Sequence, residues 1–415
     1  MNRWVRLSAA VVAMIMIANL QYAWTLFVKP IIGATHWKLS DVQWGFTFFI
    51  AFETWMMPVS GWMIDRVGPR IFMTVAGIMC GVGWASMGHA HTLTALYLLY
   101  SLAGFGAALV YCSSIAVSLK WFPDRRGLAS GLIAAGFGSG AALFIPFIAH
   151  IIKVQNYRDA FLYTGIFQGL MIVCAAQFSR NPDPTLRLTH RPAAARAQVR
   201  SHAEEFNSIE MLQTPQFYVL YLMMLMMGIG GLMVTAQVAV VADSLKIGAA
   251  ALTLALSLNP IANGGGRLFW GWVSDRIGRE HTMVIAFLLQ AIFLASVLAM
   301  GRLSETGFIV ALALVYFTWG EVYSLFPSVA ADFFGARHAS SNYGFLYSTK
   351  GVASIVAGGL AAWLYEATGT WSAAFYGSAV LALCAGLMAL GLRKMPLPHK
   401  RRQEAETKMT SAAST

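Results

Sequence analysis

The sequence predicts an all-α polytopic membrane protein whose twelve transmembrane helices form two pseudo-symmetric six-helix bundles. Three observations support this prediction. Of the 415 residues, 58% are hydrophobic and 11% are charged, whereas a soluble domain carries about 25% charged residues. The apolar residues form twelve runs that are long enough to cross a bilayer. Short motifs also recur at one nearly constant offset, which indicates a duplicated half.

The twelve apolar runs are each close to the ~20 residues that a helix needs to cross the hydrocarbon core. They are too long and too evenly apolar for tilted barrel strands. The first run follows Arg3 and Arg6, but eleven similar runs come after it, so we interpret it as a transmembrane helix and not as a signal peptide. The runs lie at about 5–28, 42–64, 71–90, 93–119, 128–152, 159–178, 215–242, 250–274, 281–300, 306–334, 340–366 and 371–393.

The repeated motifs divide the chain into halves. Residues 61–70 read GWMIDRVGPR, and residues 271–279, which begin 210 positions later, read GWVSDRIGR. Residues 111–125 and 323–337 form a second pair with an offset of 212. Two pairs at nearly one offset predict two homologous halves in parallel orientation. We expect an N-terminal bundle at 1–179, a cytoplasmic linker at 180–214, a C-terminal bundle at 215–394 and a cytoplasmic tail at 395–415.

The net charge of +11 reflects membrane topology. With the N-terminus inside, 21 of the 29 lysine and arginine residues lie on cytoplasmic segments and two lie within the membrane. The six on external segments are Lys29, Lys38, Lys153, Arg158, Lys246 and Arg302. This bias predicts that both termini are cytoplasmic. The basic charge therefore does not call for a nucleic-acid partner.

Four charged residues lie deep inside predicted spans, where a charge is expensive and usually functional. At 1.5 Å per helical residue, Arg267 lies ~12 Å from the cytoplasmic end of span eight and Lys350 lies ~15 Å into span eleven. Glu53 lies ~18 Å up span two, and Glu321 lies ~17 Å up span ten. Because the hydrocarbon core is about 30 Å thick, all four are expected near its midplane.

The two cations predict a binding site for small carboxylate anions. An arginine side chain matches a carboxylate bidentately, and a lysine supplies a compact second charge. In the alternative interpretation, the four charges form two ion pairs that hold the halves together. This structural role is a stronger alternative for the two glutamates than for the two cations.

Aromatic and polar residues at similar positions complete the candidate substrate site. Most aromatic residues in spans are expected at lipid or at the interface. Tyr111 and Tyr323 occupy equivalent places in the two halves, Trp319 lies one turn before Tyr323, and Tyr347 lies three residues before the lysine of span eleven. Tyr22, and more weakly Gln21, are candidates from span one.

Two further groups of residues have expected roles outside the site. Glycines 264–266 in span eight are expected to permit close helix packing. At the cytoplasmic ends of spans two and eight, four residues are candidates for gating contacts that break and re-form during transport, or for a static structural role: Asp65, Arg66, Asp275 and Arg276.

The repeated GWxxDRxGxR loop on a twelve-span frame resembles the major facilitator superfamily. A narrower likeness, over essentially the whole chain, is to the bacterial oxalate:formate antiporter family. It rests on the segments 21–26 (QYAWTL), 121–131 (WFPDRRGLASG), 263–267 (NGGGR) and 317–320 (FTWG), and on Lys350. This resemblance implies a carrier of the bacterial inner membrane. It also implies that Arg267 and Lys350 bind substrate carboxylates inside an aromatic cage that includes Tyr22, Trp319 and Tyr323.

Glu53 and Glu321 depart from that family's pattern, in which both positions are uncharged and the site has a net charge of +2, suited to a dianion. Here the glutamates cancel that charge unless they are protonated, and burial favours the neutral form of a carboxyl group. Exchange of oxalate/formate-type anions is the leading hypothesis. Proton-coupled symport of a monocarboxylate such as formate or lactate, with Glu53 or Glu321 as the proton carrier, is the alternative.

Other functional classes lack their motifs in this chain. It has no HExxH or nucleophile motif of an enzyme and no phosphate-binding loop of a primary pump. The four cysteines fall inside spans without CxxC spacing and are expected to be small buried residues. We therefore expect no catalytic residue, metal or cofactor. A transport-inactive sensor ranks low, because no signalling extension follows Arg393. Small carboxylates and the lipid bilayer are the expected partners, and a monomer should suffice.

Overall fold

The computed structural model describes residues 3–57, 60, 64, 68–122, 126–181, 204–335 and 338–399, and these ranges form a bundle of long helices. The first half contains α1 Arg3–Tyr22, α2 Trp24–Thr35, α3 Leu39–Trp55, α4 Pro69–Ser86, α5 Leu93–Trp121, α6 Arg126–Val154 and α7 Tyr157–Ala176. The second half contains α8 Ser208–Leu212, α9 Pro215–Ser244, α10 Ala249–Ile277, α11 Arg279–Leu303, α12 Glu305–Trp319, α13 Val322–Phe334, α14 Ala339–Tyr347, α15 Thr349–Ile355, α16 Ala361–Thr368 and α17 Ser372–Lys394. A π-helical turn at Val356–Leu360 joins α15 to α16.

Ten helical stretches of the described chain are long and apolar enough to cross a membrane. The other two predicted spans do not meet this requirement of length and apolar composition, and the reason differs between them. Helix α3 has 17 residues and ends where the described ranges become discontinuous. Helix α10 contains Asn259, Asn263 and Arg267, and all three side chains are buried. The polar face of α10 therefore points into the protein and not to lipid, as a spanning helix requires. The architecture is that of the predicted twelve-helix bundle.

Polar capping residues and glycines mark the ends of several helices. The side chains of Thr92, Asn156 and Ser304 accept hydrogen bonds from backbone N–H groups in the first turns of α5, α7 and α12. Such caps satisfy donors that a helix start leaves unpaired. Gly278 and Gly335 follow α10 and α13 with φ of 93° and 86°, a backbone conformation that favours glycine. These signals separate consecutive spans sharply.

The two halves meet mainly where α6 packs against α10, where α3 packs against α15 and the π-helical turn that follows it, and where α2 packs against α9. At the end of the bundle that carries residues 36–38, 155–156 and 245–248, the contacts are polar. Gln43 donates to the carbonyl of Ala236 at 2.8 Å and to the amide oxygen of Gln237 at 3.0 Å. Lys29 forms an ion pair with Asp243 at 2.5 Å. The halves therefore touch from the middle of the bundle to this end.

Three spans are interrupted near the middle of the bundle, which the sequence analysis did not predict. The interruptions lie at Ala23 between α1 and α2, at 320–321 between α12 and α13, and at Ser348 between α14 and α15. At each, a backbone N–H bonds three residues back instead of four, to the carbonyls of Ala23, Gly320 and Ser348. Tightened turns inside a helix are common at functional positions.

The outward faces of the helices carry apolar side chains with large exposed fractions, such as Leu143, Phe147 and Leu170. This surface is suited to lipid. Cys174 and Cys384 are exposed on it, so the expectation that all four cysteines are buried is wrong for these two. Because lipid tails are as apolar as the protein core, a small apolar residue is tolerated on either side of the helix.

Candidate functional site

Arg267 lies on the buried face of α10, where that helix packs against α6 of the other half, and its side chain is 4% exposed. Its Nε donates to the side-chain oxygen of Asn263 at 3.2 Å, and one Nη donates to the carbonyl of Ala134 at 3.1 Å. The guanidinium carbon lies 4.5 Å from the ring centre of Tyr323. The described residues include no carboxylate within ion-pair distance of it. A guanidinium has five N–H donors, and these two hydrogen bonds use two of them.

Lys350 lies just after the interruption at Ser348 and is 2% exposed. Its Nζ donates to the side-chain oxygen of Gln21 at 2.8 Å, to Oε2 of Glu53 at 2.8 Å and to the hydroxyl of Tyr347 at 3.4 Å. An ammonium group has three donors, so these partners use all of them. Gln21 and Glu53 belong to the first half, and the ion pair therefore joins the halves. For Lys350, the contacts are therefore those of the alternative interpretation, in which the intramembrane charges form ion pairs between the halves.

Five predicted aromatic residues connect the two cations, and each is 9% exposed or less. Ring centres are separated by 5.5 Å between Trp319 and Tyr323, by 6.1 Å between Tyr323 and Tyr347, and by 5.9 Å between Tyr347 and Tyr111. The hydroxyl of Tyr22 lies 3.5 Å from the asparagine that holds the arginine. These rings form an aromatic cage at the contact between the halves. Large aromatic side chains packed in this way surround the two cations with apolar surface.

Glu321 is placed differently from Glu53. It lies at the interruption between α12 and α13 and is fully buried. Neither of its carboxylate oxygens has a hydrogen-bond partner among the described residues. It forms no described ion pair with either cation of the site. The two glutamates predicted at one depth therefore have separate environments.

Comparison with known proteins shows the family. The sequence model of the Major Facilitator Superfamily matches residues 9–236 and 218–414. The chain belongs to the major facilitator superfamily. It is 39% identical, over 96% of its length and 94% of the relative's, to "Oxalate:formate antiporter" of Oxalobacter formigenes, which places this facilitator in the oxalate:formate antiporter family. It is also 24% identical to "Monocarboxylate transporter 12" of Xenopus laevis, over 84% of this chain and 79% of that protein. These relatives are transporters, not enzymes.

Two residues of the facilitator's site were missed by the sequence analysis. The ring centre of Phe137 lies 6.0 Å from the guanidinium carbon of Arg267 and 5.5 Å from Nζ of Lys350, so it lies between the cations. Asn263 orients the guanidinium and also donates to the carbonyl of Tyr316 at 3.2 Å. The offset of 210 residues between the repeated halves could have indicated both Phe137 and Asn263. It relates Phe137 to Tyr347 and Asn263 to Glu53, which were candidates already.

The predicted gating residues are only partly covered by the described ranges, because Asp65 and Arg66 lie outside them. Asp275 forms an ion pair with Arg279 at 2.8 Å, and Arg279 also pairs with Asp332 at 3.2 Å. The guanidinium carbon of Arg276 lies 3.9 Å from the ring centre of Trp272. These contacts lie within the second half of the facilitator. Arg279, 5% exposed, was not predicted, although it ends the motif at 271–279.

Proposed function

We propose that this facilitator is a secondary transporter of small carboxylates and that its leading activity is exchange of oxalate/formate-type anions. The observation that carries the proposal is the state of Arg267. It is a buried cation at the contact between the halves, and the described residues offer it no carboxylate. Burying an unpaired charge is costly, and a substrate carboxylate offsets that cost.

The geometry around Arg267 suits a small carboxylate. Asn263 and the carbonyl of Ala134 fix the guanidinium from two sides, and the ring of Tyr323 covers one face. A fixed fork binds a carboxylate with two parallel hydrogen bonds. The neighbouring rings, Tyr111 and Tyr347 among them, limit the size of the acid. The oxalate/formate pair is supported by the name of the relative that is 39% identical.

Transport would follow from rocking of the two halves about this site. For access from the end that carries Lys29 and Asp243, the ion pair between them and the contacts of Gln43 have to break. The distribution of lysine and arginine supports placing this end outside and both termini in the cytoplasm. We propose a monomer in the bacterial inner membrane, with Asp65, Arg66, Asp275 and Arg276 in loops that take part in closing the cytoplasmic end.

Proton-coupled symport of a monocarboxylate is the second candidate, and Glu321 is the observation that favours it. Its carboxyl group is buried, and the described residues offer neither oxygen a hydrogen bond. A carboxylate in such a place costs less to bury when it holds a proton. Glu53 is the other candidate carrier. The name of the relative "Monocarboxylate transporter 12" supports a monocarboxylate as the substrate in this alternative.

Uptake of labelled oxalate and labelled formate into proteoliposomes tests these proposals, with protein-free liposomes as the control. Exchange predicts that uptake needs internal oxalate or formate and does not respond to an inward proton gradient. Symport predicts that the gradient drives monocarboxylate into vesicles without internal acid. If the purified protein binds either acid but moves neither, the transport proposal is wrong, and a sensor takes its place.

A further inference from the structure

We propose that Glu53 is a tethered counter-anion that occupies Lys350 and thereby selects substrates with one negative charge over dicarboxylates. The inference rests on the proposed binding of carboxylates at Arg267. It narrows the proposed exchange, because it makes formate the preferred acid of the oxalate/formate pair and oxalate the disfavoured one.

The first step concerns the donors of Lys350. Its Nζ lies 2.8 Å from Oε2 of Glu53, and the two side chains are 2% and 1% exposed. Its remaining donors are taken by Gln21 and Tyr347. A substrate carboxylate therefore reaches this ammonium only if one of these partners leaves. Glu53 holds the place that the second carboxylate of a dianion would need.

The second step concerns whether Glu53 can leave. It lies on α3, which packs along α15. Thr47, on the same helix, donates to the carbonyl of Ser354 at 2.8 Å, and Trp55 donates to the carbonyl of Ser348 at 3.2 Å. These two bonds lie on either side of Glu53 along the helix. They hold its carboxylate against the lysine while the halves are in contact.

The third step is the charge balance. Arg267, Lys350 and an ionised Glu53 give the site a net charge of +1. Glu321 has neither a cation nor a hydrogen-bond donor among the described residues, and we count it as neutral. One monocarboxylate then brings the site to zero. A dicarboxylate leaves an excess negative charge in a medium of low dielectric constant, where charges interact strongly.

The test compares initial rates of oxalate and formate uptake in proteoliposomes as a ratio of kcat/KM values. Glu53→Gln keeps the size of the side chain and an acceptor for the lysine but removes the charge, so the site becomes +2. We expect the oxalate-to-formate ratio to rise at least about tenfold, given the strength of charge interactions at this distance. The double variant Glu53→Gln/Lys350→Gln returns the site to +1, and its ratio should fall back toward that of the wild type.

Glu280→Gln is the matched control, because it makes the same chemical change at a buried glutamate in the first turn of α11, outside the site and with no described contact with the lysine. Its ratio should equal that of the wild type. An unchanged ratio in Glu53→Gln, with exchange retained, overturns the inference and leaves carboxylate transport intact. If Glu53→Gln does not fold, inhibition of wild-type formate uptake decides, since tighter inhibition by dicarboxylates than by monocarboxylates contradicts the inference. Failure of the wild type to take up either acid removes the proposed function and the inference together.

Discussion

Replacing Arg267 with glutamine removes the only cation of the site that the described residues leave without a carboxylate. Two unit charges 4 Å apart interact by about 4 kcal/mol at an effective dielectric constant of 20. This energy corresponds to a factor of about a thousand in binding. The variant also avoids the free-energy cost of burying an unpaired cation, so the net loss of binding free energy is smaller than about 4 kcal/mol. We therefore expect kcat/KM for carboxylate uptake to fall by at least about a hundredfold.

The assay is exchange of labelled oxalate or formate in proteoliposomes, with size-exclusion chromatography to verify folding. Arg302→Gln is the matched control, because it makes the same change at an exposed arginine at the end of α11, and it should transport like the wild type. Arg267→Lys should give an intermediate loss, since it keeps the charge but not the bidentate fork. Wild-type uptake by a folded Arg267→Gln protein would refute the assignment of this residue as the anion ligand.

Three further predictions concern the surroundings of the site. A Cβ built on Gly266 overlaps a backbone carbonyl of α12, whereas one on Gly265 meets nothing within 4 Å. Gly266→Ala should therefore lower the free energy of unfolding by about 1 to 3 kcal/mol, and Gly265→Ala should leave it unchanged or raise it slightly, in thermal unfolding in detergent. Arg279→Gln removes the ion pairs that this buried arginine forms with Asp275 and Asp332 and should lower the free energy of unfolding by about 1 to 3 kcal/mol, so an unchanged melting temperature would contradict the structural role. Asn263→Ala removes a hydrogen bond that orients the site's arginine and should raise KM for carboxylate about fivefold with the fold intact; an unchanged KM argues against orientation by this residue.

The positions of the spans along the chain were predictable from the sequence, whereas the interruptions within three of them were not. Hydropathy located all twelve spans, including α10, because its polar residues are few and its flanks are apolar. The interruption at Ser348 escaped prediction, since the residues around it are compatible with a continuous helix. It matters because Tyr347 and Lys350 lie on its two sides. The roles of these residues as substrate ligands stay predictions.

Phe137 shows a different limit of the sequence. An aromatic residue in an apolar span has no periodicity that separates a lining position from a lipid-facing one. Only the repeat relation to Tyr347 distinguished it, and that relation needed the position of Tyr347 to be interpreted first. Asn263 likewise became a site residue only because its side chain contacts both the arginine and the hydroxyl of Tyr22.

The sequence by itself determined the membrane class, the twelve-span frame and the family, and it predicted a depth for each of four intramembrane charges. These properties follow from hydropathy and from the fixed rise of a helix, which depend only on position along the chain. The partners of those charges depend on the rotation of each helix about its axis and on which helices are neighbours. Four charges at one depth allow several pairings. The packing of α3 against α15 decided that Glu53 pairs with Lys350, and it left Arg267 without a described carboxylate.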